Sequence, residues 1–220
     1  MLRLTVTDRG ATRRLECAAV LFDMDGTLVD SSRCVERTWL AWCARHGIDS
    51  DALFRVSHGR RNRETVALMA PHLPPPEVER EIAALVRAEE ACREGIAAVP
   101  GARRVLAALP ADRWAVVTSA WRRLAEIRLR AAGLPEPRVL VTADDVAAGK
   151  PDPEGYLRAA ASLGAEPARC LVVEDAPAGL AAARAAGMRT LALRSRLTAG
   201  QPHLDLLCDD LTALRHEGAG

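Results

Sequence analysis

The chain has 220 residues, 49% of them hydrophobic and 27% charged, an ordinary globular composition and enough length for one substantial core with a smaller companion. Lys+Arg at 30 against Asp+Glu at 29 leaves a formal charge of +1, which excludes a global field drawing the chain to nucleic acid or to a membrane surface. No apolar run approaches the roughly 20 residues of a bilayer span, and MLRLTVTDRGATRR (1–14) lacks the apolar stretch of a secretory signal, so a cytoplasmic location is expected.

In chain order, LRLTV (2–6) reads as an accessory strand and VLF (20–22) as a short buried strand that stops at Asp23. From Ser32 to Val99 the pattern is helical throughout: CVERTWLAWCARHG, RETVALMA and EVEREIAALVRAEEACREG, with a proline cluster, PHLPPPE (71–77), between two of the helices. After VPGA (99–102) the strand-like runs WAVVT (114–118), VLVT (139–142), CLVV (170–173) and TLAL (190–193) alternate with helical stretches over 102–109, 122–133, 155–164 and 178–187. Three of those helices finish at a glycine, Gly133, Gly164 and Gly187, the usual left-handed stop. CDDLTALRH (208–216) reads as a strand end followed by a helix. Alternation of this kind implies an α/β fold, a mostly parallel sheet covered by helices on both faces. Residues 1–31 and 99–220 are assigned to that core and 32–98 to an all-α insertion. The six cysteines, Cys17, Cys34, Cys43, Cys92, Cys170 and Cys208, form no CxxC pair and, without an export signal, are expected as free thiols.

The chemistry concentrates in AAVLFDMDGTLVDSS (18–32). A buried strand that runs into Asp23 and Asp25 places two like charges one residue apart at its C-terminal edge, where open α/β sheets bind ligands. Such a pair is costly unless a cation or a proton joins it, and magnesium, which takes hard oxygen ligands and keeps room for substrate phosphate, is the natural partner. Gly26 permits the tight backbone that follows, and Thr27 offers a hydroxyl and an amide to phosphate oxygens. Asp-x-Asp-Gly also occurs in plain turns, and Thr118 and Ser119 at the end of the next strand could simply cap a helix. Further along, however, Lys150 sits in a loop fixed by Pro151 and Pro153, and Glu174 with Asp175 closes another strand. Four strand ends, each delivering an acid, a hydroxyl or an ammonium, are not explained by capping.

These four ordered motifs, DMDGT (23–27), TS (118–119), Lys150 in GKPDP and ED (174–175), resemble the haloacid dehalogenase superfamily over about 18–214. The insertion after the first motif is similar to the C1 cap of its β-phosphoglucomutase-like subgroup, and SHGRR (57–61) with EDAPAG looks most like its sugar- and polyol-phosphate phosphatases. The resemblance implies a Rossmann-like core with a helical cap, and a magnesium-dependent phosphomonoester hydrolase for a small sugar or polyol phosphate. Asp23 would be the nucleophile that forms an aspartyl-phosphate and Asp25 the general acid and base. Ser119 and Lys150 complete the catalytic set. Asp23, Asp25 through its carbonyl, Asp175 and Glu174 would serve the metal, and Gly26, Thr27, Thr118, Ser119 and Lys150 the phosphoryl group.

In the cap, His58, Arg60 and Arg61 are candidates for substrate hydroxyls, with Arg63 beside them. An arginine cluster at a helix start is otherwise a solvated face. Trp39, Trp42 and Trp121 are candidates to line the cleft, although the first two have the spacing of cap core; Trp121 is expected to narrow the pocket, and Glu89 and Glu90 read as a charged helix face with no special role. Asp25 argues against carbon–halogen cleavage, and the absence of any lysine from 32–99 argues against phosphonate hydrolysis through an imine. A phosphosugar mutase shares all four motifs and stays as the alternative. A small phosphate ester is the expected partner, with no nucleic acid and no membrane, and a monomer is the expected state.

Overall fold

The computed structural model describes residues 1–194 and 205–218; the remainder of the expected core range, 195–204 and 219–220, lies outside the described residues. The chain opens with β1 (Leu2–Asp8) and β2 (Ala11–Cys17), then β3 (Ala19–Phe22), β4 (Val29–Asp30) and four helices, α1 (Ser32–His46), α2 (Ser50–Ser57), α3 (Asn62–Met69) and α4 (Pro75–Ala91). It returns through β5 (Ala97–Ala98) to α5 (Ala102–Ala108), β6 (Trp114–Val117), α6 (Arg122–Ala131), β7 (Leu140–Val141) and α7 (Glu154–Ser162). It ends with β8 (Cys170–Glu174), α8 (Pro177–Ala185), β9 (Arg189–Leu193), β10 (Leu206–Cys208) and β11 (Leu214–His216).

Six strands form one parallel sheet in the order β10-β9-β8-β3-β6-β7. Both faces of its centre are apolar, as helices on either side require. Val20, Phe22, Val116 and Val173 face α5 and α6 on one side, while Leu21, Ala115, Val117 and Val172 face Tyr156, Ala160 and Ala183 of α7 and α8 on the other. Sequence order reverses at β3, and Phe22 lies level with Val116 of β6 and Val173 of β8. Residues 23, 117–118 and 174 therefore leave adjacent strands at the same height. That is the crevice in which doubly wound sheets bind ligands.

The helical insert hangs on a two-stranded stem, β4 paired antiparallel with β5. Its own core gathers Trp39, Trp42, Leu53, Val66 and Leu85, as the spacing of the two tryptophans predicts. Pro75 and Pro76 stand in the first turn of α4, where a missing N–H costs nothing. Because the stem brings the two ends of the insert together, Cys34 and Cys92 lie with Cα atoms 5.8 Å apart and form a disulfide, within the span a cystine can bridge. The expectation of free thiols throughout is corrected accordingly. Cys17, Cys43, Cys170 and Cys208 are free and buried.

Two further differences lie at the chain's ends. β1 continues into a hairpin with β2, turned at Arg9 and Gly10 with φ of 47° and 84°, the left-handed pair that suits a two-residue hairpin. The helix expected within 208–216 is a single 3-10 turn, Leu211–Ala213, followed by β11. So short a segment cannot hold an isolated helix, whereas the edge of β1 offers it a ladder, and β11 pairs antiparallel with that strand.

Candidate active site

Asp23 follows β3 directly and is buried. Its Oδ1 accepts a 2.5 Å hydrogen bond from Lys150 Nζ, whose other protons go to Glu174 Oε1 at 2.6 Å and to the Val117 carbonyl at 3.1 Å. Lys150 is the only lysine of the chain, and the loop that carries it before α7 sets its ammonium over the Tyr156 ring, 5.1 Å from the centroid. Glu174 is saturated. Its Oε1 also accepts from the Tyr156 hydroxyl, and its Oε2 accepts from the backbone N–H groups of Asp175 and Ala176. Gly179 makes room for it, since a Cβ there would lie 1.6 Å from Oε1.

Burial, and then the neighbouring Glu174, pushes the Asp23 carboxyl well above the usual aspartate range, with Lys150 opposing. Burial alone would lower the Lys150 ammonium, but Asp23 and Glu174 hold it well above the ordinary lysine value. Asp23, Glu174 and Asp175, all buried, bring one carboxylate oxygen each within 4.8 Å of one another. Three acids against one ammonium leave negative charge uncompensated in a region with little water. An all-oxygen donor set with that deficit fits a hard divalent cation such as magnesium.

Asp25 stands on the cleft side of this cluster. Ser31 donates to its Oδ1 at 2.7 Å and Arg128 Nη1 to its Oδ2 at 2.8 Å, which fixes the carboxylate from two directions. Ser31 is placed by the start of α1 and Arg128 by α6, so both halves of the fold orient this acid.

The remaining expected residues divide. Thr118, Ser119, His58 and Arg60 line the cleft with Asp23, Asp25 and Asp175. Thr118 Oγ1 accepts from the N–H of Ala120, and the Ser119 hydroxyl donates to the Gly59 carbonyl of the insert at 2.8 Å. Thr27 is buried beneath the cleft, its hydroxyl 3.5 Å from Asp175 Oδ1. Gly26 takes the positive φ of 91° that the turn after Asp25 needs. Arg61 is drawn away from the cleft: its guanidinium donates to the carbonyls of Val146 and Ala147 at 2.9 and 3.2 Å and so ties the insert to the segment leading to Lys150. Arg63 pairs with Glu79 on the solvated face of the insert.

The reading of Glu89 and Glu90 as a featureless charged face is corrected. Glu89 is buried at the cleft, accepts from Asn62 Nδ2 at 3.0 Å and faces Arg128. Glu90 accepts from the indole N–H of Trp121 at 2.9 Å, which sets that ring in the cleft wall. Arg128 itself has no counterpart in the sequence reading. The available signal is phase: Arg128 falls in the apolar stripe of α6 with Leu124, Ala125 and Leu129, and Glu89 shares the inward face of α4 with Leu85.

A parallel sheet whose strand ends converge buried acids on one ammonium, beneath a helical insert, is an α/β protein with its candidate site at the sheet edge. The chain belongs to the haloacid dehalogenase-like hydrolase family, whose model matches residues 17–187. It is 40% identical over 186 residues to hexitol phosphatase A of Escherichia coli, covering 82% of this chain and 85% of that one. It is 40% identical over 202 residues to validoxylamine A 7'-phosphate phosphatase of Streptomyces hygroscopicus, covering 89% and 94%. Among solved structures it is similar to CbbY of Rhodobacter sphaeroides in complex with phosphate (TM-score 0.74, 27% identity, 89% and 95% covered) and to a hydrolase of Pseudomonas syringae (TM-score 0.81, 28% identity, 90% and 95% covered). The chain is thus an enzyme of the hydrolase class, and it resembles the family's sugar- and polyol-phosphate phosphatases. No helix among the described residues is long and apolar enough to cross a membrane.

Proposed function

We propose that the chain hydrolyses the phosphomonoester of a small sugar or polyol, with magnesium, through an aspartyl-phosphate on Asp23, and that it works in the cytoplasm. The observation that carries the reading is the placement of Asp23, held at 2.5 Å by Lys150 and backed by Glu174 and Asp175, with Asp25 on the cleft side. Asp23 offers one carboxylate oxygen to the phosphorus. As that bond forms, the ester P–O bond breaks and Asp25 gives its proton to the departing alkoxide. Asp25 then takes a proton from the water that attacks the phosphorus, the bond to Asp23 breaks, and inorganic phosphate leaves.

Lys150 neutralises the nucleophile in the ground state and the phosphoryl charge as it develops, while Thr118 and Ser119 are the hydroxyls nearest to it. Glu174, with every lone pair engaged, serves as the clamp that positions Lys150 and the Asp175 backbone. Magnesium, when held by Asp23, Asp175 and the Asp25 carbonyl, supplies charge neutralisation for the phosphoryl oxygens. The helical insert acts as the cap that shuts bulk water out of the cleft during turnover.

The test is release of inorganic phosphate from a panel of sugar, polyol and aryl phosphates, with magnesium and with excess chelator. Expected is magnesium-dependent release that Asp23→Asn abolishes. Full activity in chelator, or in the Asp23→Asn variant, overturns the reading. Conversion of one sugar phosphate to its isomer without phosphate release assigns the mutase reaction in its place.

A further inference from the structure

Arg128 is buried to 3% exposure in the cleft wall, yet only part of its guanidinium is used. Nη1 donates to Asp25, while Nε and Nη2 have no hydrogen-bond partner among the described residues. Nη2 stands 3.7 Å from Glu89 Oε1, too far for a direct hydrogen bond. The other oxygen of Glu89 is fixed by Asn62 at 3.0 Å. Core and cap therefore meet here in a gap edged on one side by donors that make no hydrogen bond and on the other by the Glu89 carboxylate, in ion-pair range of Arg128. Buried donors without partners are rare and costly, and where they face a cleft a ligand group is the natural partner.

The chemistry of that partner follows from the charges. Arg128 already answers Asp25 through Nη1, so a carboxylate or second phosphate entering the gap stands directly against the Glu89 carboxylate. A hydroxyl meets no such repulsion, and it is also the small group able to accept from Arg128 Nη2 and donate to Glu89 at once. We infer that Arg128, Glu89 and Asn62 form a specificity subsite that takes a hydroxyl of the alcohol portion of the ester, next to the leaving oxygen governed by Asp25, and rejects esters whose tails are anionic. The inference rests on the phosphomonoesterase reading above and adds to it the residues that select the substrate. Specificity here combines an attractive pairing with a repulsive one.

Because Arg128 also holds Asp25, its replacement would mix recognition with chemistry, and Glu89→Gln separates them. The assay compares kcat/KM for hexitol 6-phosphate, 2-phosphoglycolate and p-nitrophenyl phosphate. In the wild type the hexitol ester is preferred. In Glu89→Gln the preference for it over phosphoglycolate, read as the ratio of the two kcat/KM values, falls by about tenfold or more, as expected for removing one close like charge. Asn62→Ala, at the partly exposed start of α3, is the second variant; it frees the Glu89 carboxylate and raises KM for the hexitol ester more than for the aryl ester. An unchanged preference in both variants, with aryl phosphate turnover intact, overturns the subsite and leaves the hydrolase standing. A wild type that releases phosphate from none of the three esters overturns both.

Discussion

Lys150 and Asp23, 127 positions apart in sequence, make a 2.5 Å ion pair in which the ammonium has no proton left for water. A cation so placed compensates two buried carboxylates in the resting protein, and in the proposed mechanism it also stabilises charge when the phosphoryl group moves. Lys150→Met removes both. Leaving Asp23 and Glu174 unpaired in the interior costs about 3–5 kcal/mol, so the melting temperature falls sharply, and phosphate release drops at least ~100-fold. Lys150→Arg keeps the charge but not the shape, since a planar fork cannot reproduce three converging bonds from a single atom, and it is expected to lose nearly as much activity. The burial has its own readout. An amine-directed acylating reagent spares Lys150 in the folded protein and modifies it in denaturant, as peptide masses will report; acylation of Lys150 in the native state would contradict the buried pair.

Asp23→Asn separates function from stability. The Asp23 carboxyl is pushed up because burial and the adjacent Glu174 oppose its ionisation, so in the metal-free protein its charge is a liability retained for chemistry. The amide keeps the shape and removes that liability. The variant is expected to melt at or above the wild-type temperature without magnesium while losing all turnover. A large drop in melting temperature would show that the Asp23 charge supports the fold, contrary to this account.

Magnesium binding should carry a pH signature of the same group. With its folded pKa above the unfolded value, Asp23 holds its proton more tightly in the folded chain than in the unfolded one. Metal-free stability from this group is therefore present at acid pH and declines as pH rises from the ordinary aspartate range through the raised one. A metal ion binds the ionised form and must displace that proton within the same window. The melting-temperature increment caused by saturating magnesium is thus small in the ordinary aspartate range and grows as pH rises above it. Carboxylates held low by hydrogen bonds, such as Asp145 with Thr142 and Arg122 or Glu154 with two backbone N–H groups, act in the opposite sense on both curves and cancel in the difference. An increment that shrinks as pH rises counts against Asp23 as a ligand.

The strand ends were legible because their signal is local. An apolar run that stops at Asp23, at Thr118 or at Glu174 fixes both the element and the edge from which the side chain emerges. The helix stops were legible for the same reason, with Gly133, Gly164 and Gly187 at φ of 62° to 71°. Arg128 and Glu89 carried only the faint signal of sharing a phase with the apolar stripes of α6 and α4, Asn62 carried none, and it is packing of the insert against α6 that brings the three together. Arg61 illustrates the converse. Its neighbours in SHGRR include cleft residues, but its side chain turns to the carbonyls of Val146 and Ala147, a long-range partnership with no trace in local spacing. β2 escaped notice because Thr12, Arg13 and Arg14 are exposed and no apolar alternation marks it. The cystine depends on the β4–β5 stem, which two-residue strands do not announce.

That displacement of Arg61 supplies a test of cap closure. Together with the Ser119–Gly59 hydrogen bond at 2.8 Å, its two bonds to the segment before Lys150 join the cap loop to the core. The Arg61 bonds do not touch the reacting atoms, so their loss should alter how well the closed form competes with the open one rather than the chemistry within it. Arg61→Ala is expected to raise KM for a polyol phosphate about five- to tenfold, the scale of losing charge-assisted hydrogen bonds at a partly exposed site, with kcat within about threefold. Arg61→Lys, which retains the charge but can reach only one carbonyl at a time, should fall between the two. If KM is unchanged in Arg61→Ala and kcat collapses instead, the arginine acts on the phosphoryl group itself, and its contact with Val146 and Ala147 is not what governs closure.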